Sequence, residues 1–264
     1  MPAGRSALKH PAYRYYLVAR FLITISSEMQ SVAVAWQIYA MTNRPLDLGL
    51  VGLAQFLPGI LLFLVAGHTA DHVDRKRILQ TCYGAFAICS LLLLTLSIHG
   101  VSTAWPIYAV LLFNGAIRAF NAPASQSFVP LLVPEEDFPN AVAWGSSVFQ
   151  AAAVLGPAAG GAIYGFASNP APVYFCAAIA YLTAFSLMAT VHARKPDRPR
   201  PAASILMVLE GVRYIFRNKL ILGSISLDLF AVLLGGAVAL LPVYAKEILH
   251  VGAYGLGVLR SSPA

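Results

Sequence analysis

Besides Arg20, which can snorkel to the nearby cytoplasmic interface, three ionisable side chains stand inside stretches that are otherwise apolar: Glu28, Arg118 and Asp228. A charge at the centre of a membrane span costs about 3 kcal/mol on insertion scales, so a retained one marks a pathway for protons, ions or substrate, or a pairing with another helix. These three are candidates for proton coupling and charge compensation. Gln30, Gln37, Asn114 and Gln150 place uncharged hydrogen-bonding groups in similar surroundings. They can line a cavity for a small-molecule substrate or join helices to one another. Trp36 and Trp144 offer ring faces for an aromatic substrate or anchors at an interface. His68 and His72 are four residues apart, with Asp71 beside them. No further ligands converge in sequence, so no metal is expected there.

Two clusters have a more particular spacing. From Gly67, the chain reads glycine, three residues, Asp71, then Asp74, Arg75, Lys76 and Arg77. Gly67 and Asp71 share a helix face. Arg75 and Lys76 can pair with Asp71, with Asp74 or with a neighbouring helix end, or can simply keep a charged turn on the cytoplasmic side. The second cluster, Gly156, Pro157, Gly160 and Gly161, lies inside an apolar stretch. Pro157 removes a backbone hydrogen bond, and the glycines strip side chains from a face that another helix can then approach.

The elements that must position these residues are membrane spans. The 264 residues have 58% hydrophobic and 11% charged side chains, against about 25% charged in soluble domains. Mean hydropathy is +0.70. Stretches of about 20 apolar residues, the length that crosses a bilayer core, are predicted at 15–40, 48–70, 78–98, 104–122, 141–166, 173–191 and 220–245. An eighth begins near Tyr254. Pro123 is expected to end the fourth. The fold class is therefore all-α and polytopic, with a six-helix bundle over 1–192, a linker over 193–219 and the start of a further bundle over 220–264. Within the linker, residues 204–217 carry apolar side chains at helical spacing, which predicts an amphipathic helix on the membrane surface.

Net charge is +7, and its placement suits an anionic leaflet, not nucleic acid. The N-terminal segment, the 2–3 loop and the 6–7 linker carry nearly all the loop Lys and Arg, whereas the opposite side holds only Arg44 and Lys246. The positive-inside rule then puts the N-terminus in the cytoplasm and the chain in the cell inner membrane. Cys82, Cys89 and Cys176 are an odd, intramembrane set with no disulfide pattern. No nucleotide-binding loop, nucleophile elbow or paired catalytic acids occur, so no enzyme class is supported.

The loop from Gly67 to Arg77 and the Gly156–Gly161 cluster together resemble the major facilitator superfamily. Residues 33–79 are similar to its branch of enterobactin and drug exporters. Asp74 stands where the wider family has glycine, His72 where it has arginine, and Ala152 where the span 5 motif has its first glycine. The resemblance implies a twelve-helix transporter truncated after about seven and a half spans. It implies proton-driven efflux by alternating access, with no cofactor beyond the proton gradient, and with the lipid bilayer and a small-molecule substrate as partners. Gly67, Asp71, Asp74, Arg75 and Lys76 would serve as a cytoplasmic gate, and Gly156, Pro157, Gly160 and Gly161 as a pliable packing face. A chain without its second bundle could instead be a non-transporting membrane protein, or a half-transporter that pairs with another copy.

Overall fold

A computed structural model describes residues 6–101, 103–194 and 213–262. Every regular element among them is helical. Six long helices form one bundle: α1 (Pro11–Thr42), α2 (Pro45–His72), α3 (Arg75–Ile98), α4 (Trp105–Phe128), α5 (Phe138–Ala167) and α6 (Ala171–Thr190). Five of them, α1, α2, α3, α5 and α6, are long and apolar enough to cross a membrane. Asn114, Arg118 and Asn121 make α4 more polar, but its 24 residues extend about 36 Å, enough to span.

The helix ends follow local chemistry. Prolines occupy the first turn of α1, α2, α4 and α5, where a missing N–H costs nothing. Asn43 ends α1 with φ 51° and Ser168 ends α5 with φ 50°, a left-handed stop that reverses the chain into the next span. Asp74 caps α3 by accepting from the Lys76 backbone N–H at 2.9 Å. Pro123 lies inside α4, which runs on to Phe128. The expected stop fails because the next turn is held independently: the Ser127 hydroxyl donates to the Pro123 carbonyl at 2.9 Å, and Tyr16 bonds Ser125 from α1.

Helix α1 packs against α5 and α6, α6 against α3, α3 against α4, and α4 against α2. Small residues set the closest approaches. A Cβ on Gly115 of α4 would lie 2.4 Å from the Gln55 carbonyl of α2. Two apolar clusters fill the bundle, one around Tyr16, Leu79, Phe86, Phe128 and Tyr181, the other around Ile38, Leu93, Ile107 and Tyr174. Buried tyrosine hydroxyls need partners where water is absent. Tyr13 donates to the Ala141 carbonyl at 2.6 Å, and Tyr174 donates to Gln37 Oε1 at 2.6 Å. Tyr174→Phe would leave the Gln37 carbonyl unpaired at a cost of about 1 kcal/mol. Thermal unfolding in detergent should show a midpoint lower by about 2–4 °C, and an unchanged midpoint would count against this bond as a stabiliser.

The predicted single span over 220–245 is instead broken. Helix α7 (Lys219–Leu234) gives way to a 3₁₀ stretch at Gly235–Leu240, one turn at Leu241–Val243 and a π-helical turn at Tyr244–Ile248. Gly235, Gly236 and Pro242 are poor helix-interior residues, which accounts for the interruption. Helix α8 (Ala253–Ser261) follows. The expected amphipathic helix lies outside the described residues except for 213–217, which are helical.

Candidate functional site

Polar groups from four helices converge at the middle of the bundle. Ser27, Gln30 and Ser31 of α1 meet Gln55 of α2, Asn114 and Arg118 of α4 and Tyr181 of α6 around a pocket of about 10 Å³. That volume holds about one water molecule at most, so the pocket is a polar seam, too small for a substrate. Arg118 donates to Gln55 Oε1 at 3.3 Å. Gln30 is 4% exposed, and its Oε1 has no hydrogen-bond partner.

Ser31, Gln55 and Arg118 of the seam also line a cavity of about 820 Å³, within the size range of small-molecule sites. Its walls are α1, α2, α4, residues 238–242 and Arg260 of α8. Gly52, Gly59 and Gly67 lie along the α2 wall, alternating with Phe56 and Phe63, at a spacing close to whole helical turns. A Cβ on any of the three would meet open space, so the glycines widen the chamber. Ser31, Gln55, Gln126, Arg118 and Arg260 supply its polar lining. Arg260 donates to Ser31 Oγ at 2.9 Å, and the Glu28 carboxylate acts on it electrostatically.

The glycine–proline cluster of α5 serves two neighbours at once. A Cβ on Gly156 would lie 2.5 Å from Glu28 Cβ, and one on Gly160 would lie 2.7 Å from Met29 Cα, both on α1. A Cβ on Gly161 would lie 2.6 Å from the Ala253 carbonyl and 2.7 Å from Gly257 Cα, both on α8. From the other side, a Cβ on Gly257 would lie 2.5 Å from the Pro157 carbonyl. Backbone therefore packs on backbone along both faces. Further along the same end, Lys246 donates to Asn43 Oδ1 and lies 5.2 Å above the Tyr39 ring. Tyr39 donates to Glu247 Oε1 at 3.3 Å. Residues 241–261 thus close over the Asn43 end of the bundle, while Leu220, Leu227 and Phe230 of α7 are exposed.

The remaining predicted residues are dispersed. Asp71 lies in the last turns of α2. Asp74 caps α3, and Lys76 donates to the Ala189 carbonyl at 2.8 Å, closing the end of α6. Arg75 Nε is buried without a hydrogen-bond partner. Gln30 and Asn114 line the small seam, whereas Gln37 is engaged by Tyr174. Gln150 on α5 and Asp228 on α7 are exposed. Trp36 and Trp144 pack against the apolar clusters. The His72 ring lies against that of His68, centroids 4.1 Å apart and planes inclined by 31°. Sequence reasoning missed Ser31, Gln55, Gln126 and Arg260. The last of these was detectable as a charge inside the apolar run that begins at Tyr254.

A helical bundle with apolar outer faces around a largely apolar central chamber, edged by two arginines, defines a multi-pass membrane protein. The chain belongs to the transmembrane secretion effector family of the major facilitator superfamily, whose profile matches residues 3–262. It is 28% identical to the staphyloferrin A transporter of Staphylococcus aureus, over 72% of this chain and 48% of that protein. It is 28% identical to the enterobactin exporter of Salmonella choleraesuis, over 88% and 54%, and 26% identical to that of Citrobacter koseri, over 96% and 60%. The chain thus spans about half the length of these relatives. A crystal structure of a bacterial homologue of the human lysosomal transporter Spinster, inward-facing and unoccupied, superposes with a TM-score of 0.70 at 17% identity, over 96% of this chain and 59% of that one. That likeness shows the fold.

Proposed function

We propose that this chain forms the N-terminal bundle, and the opening elements of the second bundle, of a proton-coupled exporter of siderophore- or drug-class small molecules. It works by alternating access, in the cell inner membrane, with the N-terminus in the cytoplasm. The observation that carries this reading is the two-sided packing of α5. Gly156 and Gly160 seat it on its own bundle, while Pro157 and Gly161 seat it on α8, which belongs to the next bundle. A contact with no interlocking side chains can tilt without repacking a core, as rocking bundles require. Residues 241–261 close over the Asn43 end, while Gly67 and Gln126 carry the chamber wall toward the N-terminal end. With the basic loops on the cytoplasmic side, a chamber opening there is the arrangement that loads substrate from the cytoplasm. Arg118 lines the chamber and Glu28 acts on Arg260 of its wall, and these are the groups through which proton movement would be felt there. The names of the relatives, with enterobactin and staphyloferrin A as their cargo, support the siderophore class.

The test uses inverted membrane vesicles from cells producing the chain, with an inside-acid gradient imposed. Enterobactin and a fluorescent drug should be tried in turn. Accumulation of either that depends on the gradient and collapses with a protonophore is expected. Accumulation no greater than in vesicles without the chain, with the protein present in the membrane, would overturn the proposal. A second reading, a self-associating or non-transporting membrane protein, draws on the exposed α2 side chains Phe56 and Leu61. Chemical cross-linking in the same vesicles separates the two readings. A stable dimer without uptake favours the second.

A further inference from the structure

We infer that the large chamber is built for an amphipathic organic anion, a carboxylate-type oxygen group attached to an apolar body. This deepens the exporter reading and rests on it. Among the described residues the chamber wall carries two charged side chains, Arg118 and Arg260, and no carboxylate. They come from α4 and α8, so an anion held by both would bridge the first bundle to the element that closes over it.

Both guanidiniums have donors to spare. Arg118 donates to Gln55, and Arg260 donates to Ser31. A guanidinium has five N–H donors in a planar fork that matches a carboxylate, and charge-assisted bonds of that kind are the strong ones. Glu28 offsets part of the Arg260 charge, but it packs against Gly156 of α5 and is not part of the wall. The chamber as a whole therefore remains cationic.

One further feature fits the same ligand. Phe56, Phe63, Val51, Leu48 and Val238 supply the apolar surface on which a ring or chain would lie. A cationic amphiphile would satisfy the apolar wall and then face two like charges across a site of low polarity, which is a strong penalty.

The test is calorimetric titration of the purified chain in detergent with 2-naphthoate, 2-naphthylmethanol and 2-naphthylmethylamine, which share one ring system and differ in charge. The carboxylate is expected to bind at least ten-fold more tightly than the alcohol, and the amine more weakly than both. Arg118→Gln and Arg260→Gln should each lower carboxylate affinity about five- to ten-fold while leaving the alcohol unchanged. The double variant should lose the preference. Folding of each variant is checked by its melting midpoint, and Arg260→Lys, which keeps the charge, should retain part of the preference. Equal or tighter binding of the amine, or an undiminished carboxylate preference in the folded double variant, would overturn the inference. The exporter reading fails separately: naphthoate bound as expected with no gradient-driven uptake leaves the anion site intact and removes the transport role. Uptake that does not distinguish the three probes does the reverse.

Discussion

Gly160→Leu is expected to destabilise the bundle by about 3 kcal/mol, the upper end of ordinary overpacking, and to lower the melting midpoint in detergent by about 6–10 °C. The reason is geometric. A Cβ at this position would lie 2.7 Å from both the Cα and the carbonyl oxygen of Met29. Those atoms are backbone within α1 and cannot move aside as a side-chain tip would. Leucine must push α5 from α1 along the length of their contact. Gly161→Leu, one residue further on, adds the same volume with a different consequence. It meets Ala253 and Gly257 of α8, so α8 should leave while the six-helix bundle persists. Its melting midpoint should fall by less than half as much. Maleimide labelling of a cysteine introduced at Leu256, which is fully buried, should rise sharply in Gly161→Leu. Gly49→Leu, where a Cβ meets nothing within 4 Å, is the control and should melt within about 1 °C of the parent. Equal destabilisation by all three would mean that leucine acts through backbone flexibility and not through these contacts.

Glu28→Gln should abolish gradient-driven uptake in inverted vesicles, by at least ten-fold, while leaving membrane levels and melting nearly unchanged. Glutamine keeps the shape that packs on Gly156 and the capacity to hydrogen-bond, but it cannot carry a proton or a charge. In a half-buried position in the middle of a span, with Arg260 acted on by its carboxylate, ionisation of Glu28 changes the electrostatics of the chamber more than that of any acid at a helix end. Residual uptake in the variant should no longer respond to the imposed gradient. Asp228, exposed on α7, is the comparison. If Asp228→Asn removes the gradient dependence and Glu28→Gln does not, coupling resides outside this bundle.

The spans were readable because a bilayer demands long apolar helices, and the prolines and asparagines at their ends are local signals. Pro123 misled because a proline is read as a stop unless the helix beyond it is held from outside, and the Tyr16–Ser125 contact that helps hold it joins residues 109 apart in sequence. The interruption after Leu234 was hidden by its apolar composition, which suits a span but does not report its helical continuity. Both motifs were visible, yet only packing shows that Gly160 and Gly161, adjacent in sequence, answer to different helices. The site was less legible. A lone glutamine in an apolar helix looks the same whether it bonds a tyrosine, as Gln37 does, or holds an arginine at a chamber wall, as Gln55 does.

The most direct test of the central claim, that α5 and α8 form the moving contact of a transporter, is a reversible lock. A Cβ on Gly165 would lie 3.1 Å from Tyr254 Cβ, shorter than the roughly 3.5–4.5 Å of a disulfide, so a small outward shift of α8 brings the pair into range. Gly165→Cys with Tyr254→Cys, in a background where Cys176 is serine, should cross-link readily on oxidation. Vesicles carrying the locked protein should lose gradient-driven uptake and recover it on reduction. Efficient cross-linking with uptake undiminished would contradict the account, since the contact would then not need to move.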